Sequence, residues 1–171
     1  MVSKVDPGEV YFITFIDQST GKSQGYYKIG IVRNARDTAE RIREHQTGNP
    51  HRVIPYHIIK TDAPMLVEQL LHATYAKQKA STEWFKFTDQ ERDGAIKEGE
   101  RLSQLHGPVL KALRPWYHKT PAKGTLKLTG KALQDATKIR DEAYAYESMM
   151  HQAYYTMKAI EHELISISDV H

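Results

Sequence analysis

The chain has 171 residues, 40% apolar and 26% charged, with a formal net charge of +3, the make-up of one folded domain of ordinary size plus an appendage. It has no cysteine, which excludes disulfides and thiolate metal sites and leaves oxygen or imidazole to hold any metal. No stretch approaches the roughly eighteen consecutive apolar residues of a membrane helix, and the N-terminus carries no hydrophobic targeting segment, so the expectation is a cytoplasmic protein with no membrane partner.

Val10 to Phe15 is rich in β-branched and aromatic residues and predicts a strand, Gln18 to Gly21 a turn, and Tyr26 to Val32 the partner strand of a hairpin. Asp37-Thr-Ala-Glu40 has the spacing of a capping box and predicts a helix from about Thr38 to Gln46, closed by Gly48-Asn49-Pro50. Val53 to Ile59 predicts a third strand, placed at an edge by Pro55, and Asp62-Ala-Pro64 starts a second helix with Val67, Leu70, Leu71 and Thr74 inward. Trp84 to Phe87 gives a last short strand, and Thr88-Asp-Gln-Glu91 caps a helix expected to end near Leu105. The fold class is therefore α+β, a small sheet flanked by helices and followed by a long C-terminal helix.

Periodicity decides which side chains stand together. Residues four apart share a helix face, which groups Arg41 with His45 and Glu68 with His72. In the second strand Tyr26, Lys28 and Gly30 share one face, and Tyr11 is expected to meet Lys28 across the hairpin.

Charge is unevenly spread. Residues 129–171 hold four Lys/Arg against seven Asp/Glu, a net of −3, which leaves +6 on residues 1–128. Between Glu100 and Asp135 there is no acidic residue, whereas Arg101, Lys111, Arg114, Lys119, Lys123, Lys127 and Lys131 are basic, with Trp116 and Tyr117 among them. Basic residues interleaved with aromatics, prolines and glycines predict an arm that contacts DNA through phosphates and unstacked bases. The expected organisation is a head over residues 1–90, a helix and basic arm over 91–128, and a helical tail over 129–171. No zinc module or helix that reads the major groove is recognisable.

The tail has a heptad pattern. Ala136, Ala143, Met150, Met157 and Leu164 recur every seven residues, as do Ile139, Tyr146, Ala153, Ile160 and Ile167. A helix over residues 129–167 would be about 58 Å long, too long to bury its whole stripe on the head. Pairing of this tail in a homodimer is one expectation; folding back on the Asp89 to Leu113 segment, or docking another protein, is the other.

The signals of the head, Glu9-Val10-Tyr11, Lys28-Ile29-Gly30, Arg41 with His45, Glu68 and Glu83-Trp84-Phe85, resemble in order and spacing the GIY-YIG nucleases, in the phage-rich branch with KIG and EWF signatures, over roughly residues 8–90. Glu9 stands where that family has glycine, and Lys28 where many members have tyrosine. The resemblance implies a metal-dependent DNA endonuclease that hydrolyses phosphodiesters, with Tyr11, Lys28, Arg41, His45 and Glu68 catalytic and Glu68 the ligand of one Mg2+ or Mn2+. Arg41 would grip the scissile phosphate, and Tyr11 would be the base, its phenol made more acidic by Lys28, with His45 the competing base. Glu83, Trp84 and Phe85 would close the core, with Trp84 as a packing anchor. The alternative is a non-catalytic nucleic-acid-binding or adaptor protein that acts through its helical tail.

Overall fold

A computed structural model describes residues 6–33, 37–118 and 130–168. The chain runs β1 (Gly8–Ile16), β2 (Ser23–Arg33), α1 (Thr38–Gln46), β3 (Arg52–Thr61), α2 (Pro64–Thr74), a 3-10 turn (Ala76–Gln78), β4 (Lys79–Ser81), β5 (Trp84–Lys86), α3 (Asp89–His118) and α4 (Gly130–Ser168). The strands form one antiparallel sheet in the order β3-β1-β2-β5-β4. Strand β3, which carries Pro55, lies at the edge, where a residue without an N–H costs the ladder least.

Alternation along the strands gives the sheet two unlike faces. On the first, Val10, Phe12, Ile29, Phe85 and Phe87 pack under Leu66, Val67 and Leu71 of α2 and Ala95, Leu102 and Leu110 of α3. Within α2, Leu66 is buried and Thr74 is exposed, returning its hydroxyl to the carbonyl of Leu70 at 2.8 Å, so the apolar stripe is rotated from the one expected. Helix α3 passes so close to this layer that a side chain at Gly99 would meet the δ1 carbon of Ile59 at 2.8 Å. On the second face Tyr11, Ile13, Val32 and Val53 form a small cluster under Ile42 of α1 and beside Trp84.

Two capping boxes behave differently. At α3 the exchange is reciprocal: Glu91 N–H donates to Thr88 Oγ1 (3.2 Å) and Thr88 N–H to Glu91 Oε2 (2.8 Å). At α1 Asp37 accepts from Glu40 N–H (2.9 Å), while Glu9 of β1 reaches across to accept from the N–H and hydroxyl of Thr38 (3.2 and 2.7 Å). Glu9 thus places a negative charge at a helix N-terminus and ties α1 to the second face.

Helix α3 does not end near Leu105; it continues through Pro108 to His118. Contacts on both sides of the proline outweigh the lost backbone hydrogen bond. Leu102 and Leu110 are buried, His106 Nδ1 lies 3.1 Å from the hydroxyl of Tyr146 on α4, and Arg114 pairs with Asp62 at 2.6 Å. Arg101, Lys111 and Arg114 accordingly sit on a helix rather than on an extended arm.

The tail folds back on its own head. Tyr146, Met149 and Met150 join the core of the first face, and Ala153 is buried as well. The centre of the heptad stripe is thus used within the chain, against α2 and the 3-10 turn. A second copy pairing along the whole of residues 129–167 would have to displace it.

Candidate functional site

Tyr11 lies opposite Gly30 of β2, and Lys28 is opposite Ile13. The expected meeting of Tyr11 and Lys28 is therefore corrected by one pair of residues along the strands. The phenol lies across Gly30: a Cβ there would come within 2.5 Å of the Tyr11 oxygen. Glycine at position 30 is the bed on which the ring rests, a steric requirement that the short motif does not reveal.

Helix α1 brings Arg41 and His45 over this ring. His45 Nε2 is 3.4 Å from the Tyr11 hydroxyl, and Arg41, hydrogen-bonded to Glu44, lies close enough to act on the phenol electrostatically. Burial pushes the phenol up to about 12, against the opposing charge of Arg41. The expectation that Lys28 makes Tyr11 acidic is thus corrected, because Lys28 is bound to Glu83 at 2.6 Å and burial dominates at the phenol. His45 is held below its ordinary value by burial and then by the charges of Lys28 and Arg41. It is therefore mostly neutral at pH 7, with one ring nitrogen able to accept a proton.

Glu68 belongs to α2, on the opposite side of the sheet, and reaches the same place at the edge of β2. Strand β5 covers β2 only from Tyr26 to Lys28. Just beyond, Ile29 gives its N–H to the Glu83 carbonyl (3.3 Å), and its own carbonyl accepts from His72 Nε2 (3.0 Å). His72 thereby anchors α2 at the end of the β2–β5 ladder, and Glu68, one turn earlier, comes into electrostatic range of Tyr11, Lys28, Glu83 and Arg33. Burial, reinforced by Glu83, pushes the Glu68 carboxyl up to about 7, Arg33 and Lys28 offsetting only part. Glu68 makes no hydrogen bond among the described residues. Burial acts on Glu83 too, but its hydrogen bond to Lys28 and the charge of that lysine hold it below the usual carboxylate range.

The five head residues are therefore linked electrostatically, Glu68 through Tyr11 and Lys28, with Glu83 as an unforeseen sixth. Position 83 sits in a triplet that reads as core-closing, yet only Phe85 is fully buried; Trp84 is half-buried on the second face. The register Lys28↔Trp84 is what brings Glu83 within reach of Lys28.

The basic residues farther along are not part of this group. Arg101 makes two hydrogen bonds to Glu98 (2.8 and 2.7 Å), Arg114 is paired with Asp62, and Lys111 is exposed on α3. Trp116 and Tyr117 fall in the last turn of α3, and Lys119, Lys123 and Lys127 lie outside the described residues. Among the described residues no three His, Asp or Glu side chains are arranged to hold a metal, and no helix is long and apolar enough to cross a membrane.

Comparison with known proteins corrects the family reading. The chain matches the T5orf172 domain over residues 8–100, more than half of its length, and not the GIY-YIG nucleases. The signals behind the earlier resemblance are each only one to three residues long, and sheets of similar build can share their order without sharing a family. No curated protein and no solved structure matches the chain. T5orf172 is a phage-associated domain, compatible with a nuclease-like or nucleic-acid-binding role. The match over β1 to α3 carries the identification: this chain belongs to the T5orf172 domain family.

Proposed function

We propose that the chain is a metal-dependent DNA endonuclease whose centre is formed by Tyr11, Arg41, His45 and Glu68, with Lys28 and Glu83 as its electrostatic frame. The observation that carries this reading is the state of Glu68, a carboxylate pushed up to about 7 with no hydrogen-bond donor among the described residues, within electrostatic range of Lys28 and of the Tyr11 phenol that His45 and Arg41 flank. Such a group is electrostatically incomplete until a cation joins it.

The donor set fits one hard divalent ion. A single carboxylate, with no thiolate and no cluster of three ligands among the described residues, suits Mg2+ or Mn2+, which would complete their shells with water and phosphate oxygens. Glu68 would hold the ion, which when bound supplies charge stabilisation at the phosphoryl oxygens.

The remaining steps belong to side chains. Arg41 grips the scissile phosphate with the donors that Glu44 leaves, and stabilises the charge that builds on it. A phenol near 12 is protonated in all but about one molecule in 10⁵ at pH 7, so Tyr11 serves as a relay. The attacking water gives its proton to the phenol oxygen as the phenol's own proton passes to His45 Nε2. Lys28, held by Glu83, adds positive charge beside the substrate.

The test is a supercoiled plasmid incubated with and without Mg2+ or Mn2+, beside Glu68→Ala and Arg41→Ala. Wild type is expected to nick or linearise it only with the ion. Arg41→Ala should lower the rate about 10²- to 10³-fold, and Glu68→Ala should abolish the ion-dependent cleavage. Unchanged plasmid in every lane would favour a non-catalytic binding module.

A further inference from the structure

Two residues beyond Ile13 and Lys28 on the same face, the sheet carries a hollow of about 420 Å³ lined by Phe15, Tyr26, Asn49, His51, Ser81 and Trp84. The function proposed above makes no use of it. Its rings are ordered: Phe15 stacks on Tyr26 (centroids 5.8 Å apart, planes 15° apart) and on His51 (5.4 Å, 22°), and Trp84 meets Phe15 at 5.5 Å and 59°. The Lys86 ammonium lies 4.2 Å from the centre of the Tyr26 ring. All four rings keep part of their surface in solvent, whereas Phe12, Phe85 and Phe87 are buried.

The far wall is built in advance. Gln46, the last residue of α1, donates to the carbonyls of Asn49 and His51 (3.1 and 3.0 Å) and accepts from Val53 N–H (2.9 Å). Asn49 Oδ1 accepts from His51 N–H (3.0 Å), and the Asn49 amide nitrogen has no hydrogen-bond partner among the described residues. A polar edge with a free donor thus stands beside near-parallel ring faces. Among the described residues no carboxylate lines the hollow.

We propose that this hollow takes an unpaired base of a single strand of DNA and so sets the register of that strand on the catalytic centre. Ring stacking and a neighbouring cation are the chemistry that binds unstacked bases with little regard to their identity. The placement fits, because Phe15 is four residues from Tyr11 on one face of β1, about 13 Å along the strand, a few nucleotides from the bond to be cut. Trp84 pairs in register with Lys28, so the hollow and the centre are continuous. The inference rests on the nuclease reading for what the register serves, and on the rings alone for binding.

With Trp116→Phe, Trp84 is the sole tryptophan of the full chain. This protein is titrated, without divalent ion, with a single-stranded DNA oligonucleotide, with a set carrying one abasic site at each position in turn, with a blunt duplex, with the same sequence as RNA, and with a nucleoside monophosphate. Cleavage is followed separately with Mg2+. The single strand should quench Trp84 emission, and an abasic site at one position should weaken binding about five- to a hundredfold, the loss expected for one stacked base. His51→Ala should flatten that profile. A flat abasic profile with unchanged Trp84 emission overturns the inference, as does tighter binding of duplex or RNA, or quenching by the monophosphate but not by the strand. A peaked profile without cleavage keeps the hollow and removes the nuclease reading; cleavage with a flat profile does the reverse.

Discussion

The face of the sheet under α2, α3 and α4 and the face under α1 are made by the same strands, yet they are built to different ends. The first buries Val10, Phe12, Ile29 and Phe85 completely beneath three helices, with Met150 of the tail added to the layer. The second has a cluster of four buried residues, one short helix with few apolar side chains, and a group of titratable residues whose charges oppose one another. The difference teaches where stability and chemistry are separated in this fold. Close packing on one side holds the strands in register, so that the other can carry a buried phenol and an uncompensated carboxylate.

The two faces should differ most in what truncation of one apolar side chain costs. Phe12→Ala should lower the unfolding free energy by about 3–5 kcal/mol, whereas Ile42→Ala, half-buried on the second face, should cost about 1 kcal/mol. Urea unfolding monitored by circular dichroism measures both, and equal losses would erase the distinction.

The next largest effect concerns Glu68. Its carboxyl is pushed from 4.5 up to about 7 in the folded chain, so between those values the folded state holds a proton that the unfolded chain has released. Stability is therefore free of this penalty below about pH 4.5, falls as pH rises to about 7, and above that stays lower by about 3 kcal/mol. Glu68→Gln should be more stable than wild type at pH 8 and indistinguishable at pH 4, while losing the response to Mg2+. Midpoints of denaturant unfolding at the two pH values decide it; a variant less stable at pH 8 would contradict the assigned burial.

Gly30→Ala probes the bed of the phenol. The added methyl meets the Tyr11 oxygen at 2.5 Å, so the ring must move, at a cost of about 1–3 kcal/mol. Cleavage should fall at least about tenfold if the relay depends on the 3.4 Å contact with His45. Thermal unfolding and the plasmid assay on one preparation separate the two losses. The smallest effect belongs to Glu9→Ala, which removes the clamp on Thr38 and should cost about 1 kcal/mol, with any further drop in rate reporting displacement of α1.

Much of the head was legible from short patterns. The alternation of Val10 to Phe15 and Tyr26 to Val32, the spacings Asp37 to Glu40 and Thr88 to Glu91, and Pro55 at an edge each report a preference that acts within a few residues, and each is met in the fold. The pairs Arg41 with His45 and Glu68 with His72 followed from the helical repeat alone. The family was not legible in this way, since the same brief signals pointed to GIY-YIG nucleases whereas the whole of residues 8–100 matches T5orf172.

Other features depend on neighbours far along the chain. Nothing near Glu83 says that its carboxylate will bind Lys28, nothing near Tyr11 says that burial will outweigh Arg41, and nothing around Pro108 says that α3 will run through it. The tail's stripe suits a second helix of any origin, and only assembly turned Tyr146 and Met150 onto the head. Backbone preferences and side-chain periods are short-range and are written residue by residue, whereas desolvation and ion pairing depend on which surfaces meet after the chain has closed on itself, and these set the protonation of Tyr11, His45 and Glu68.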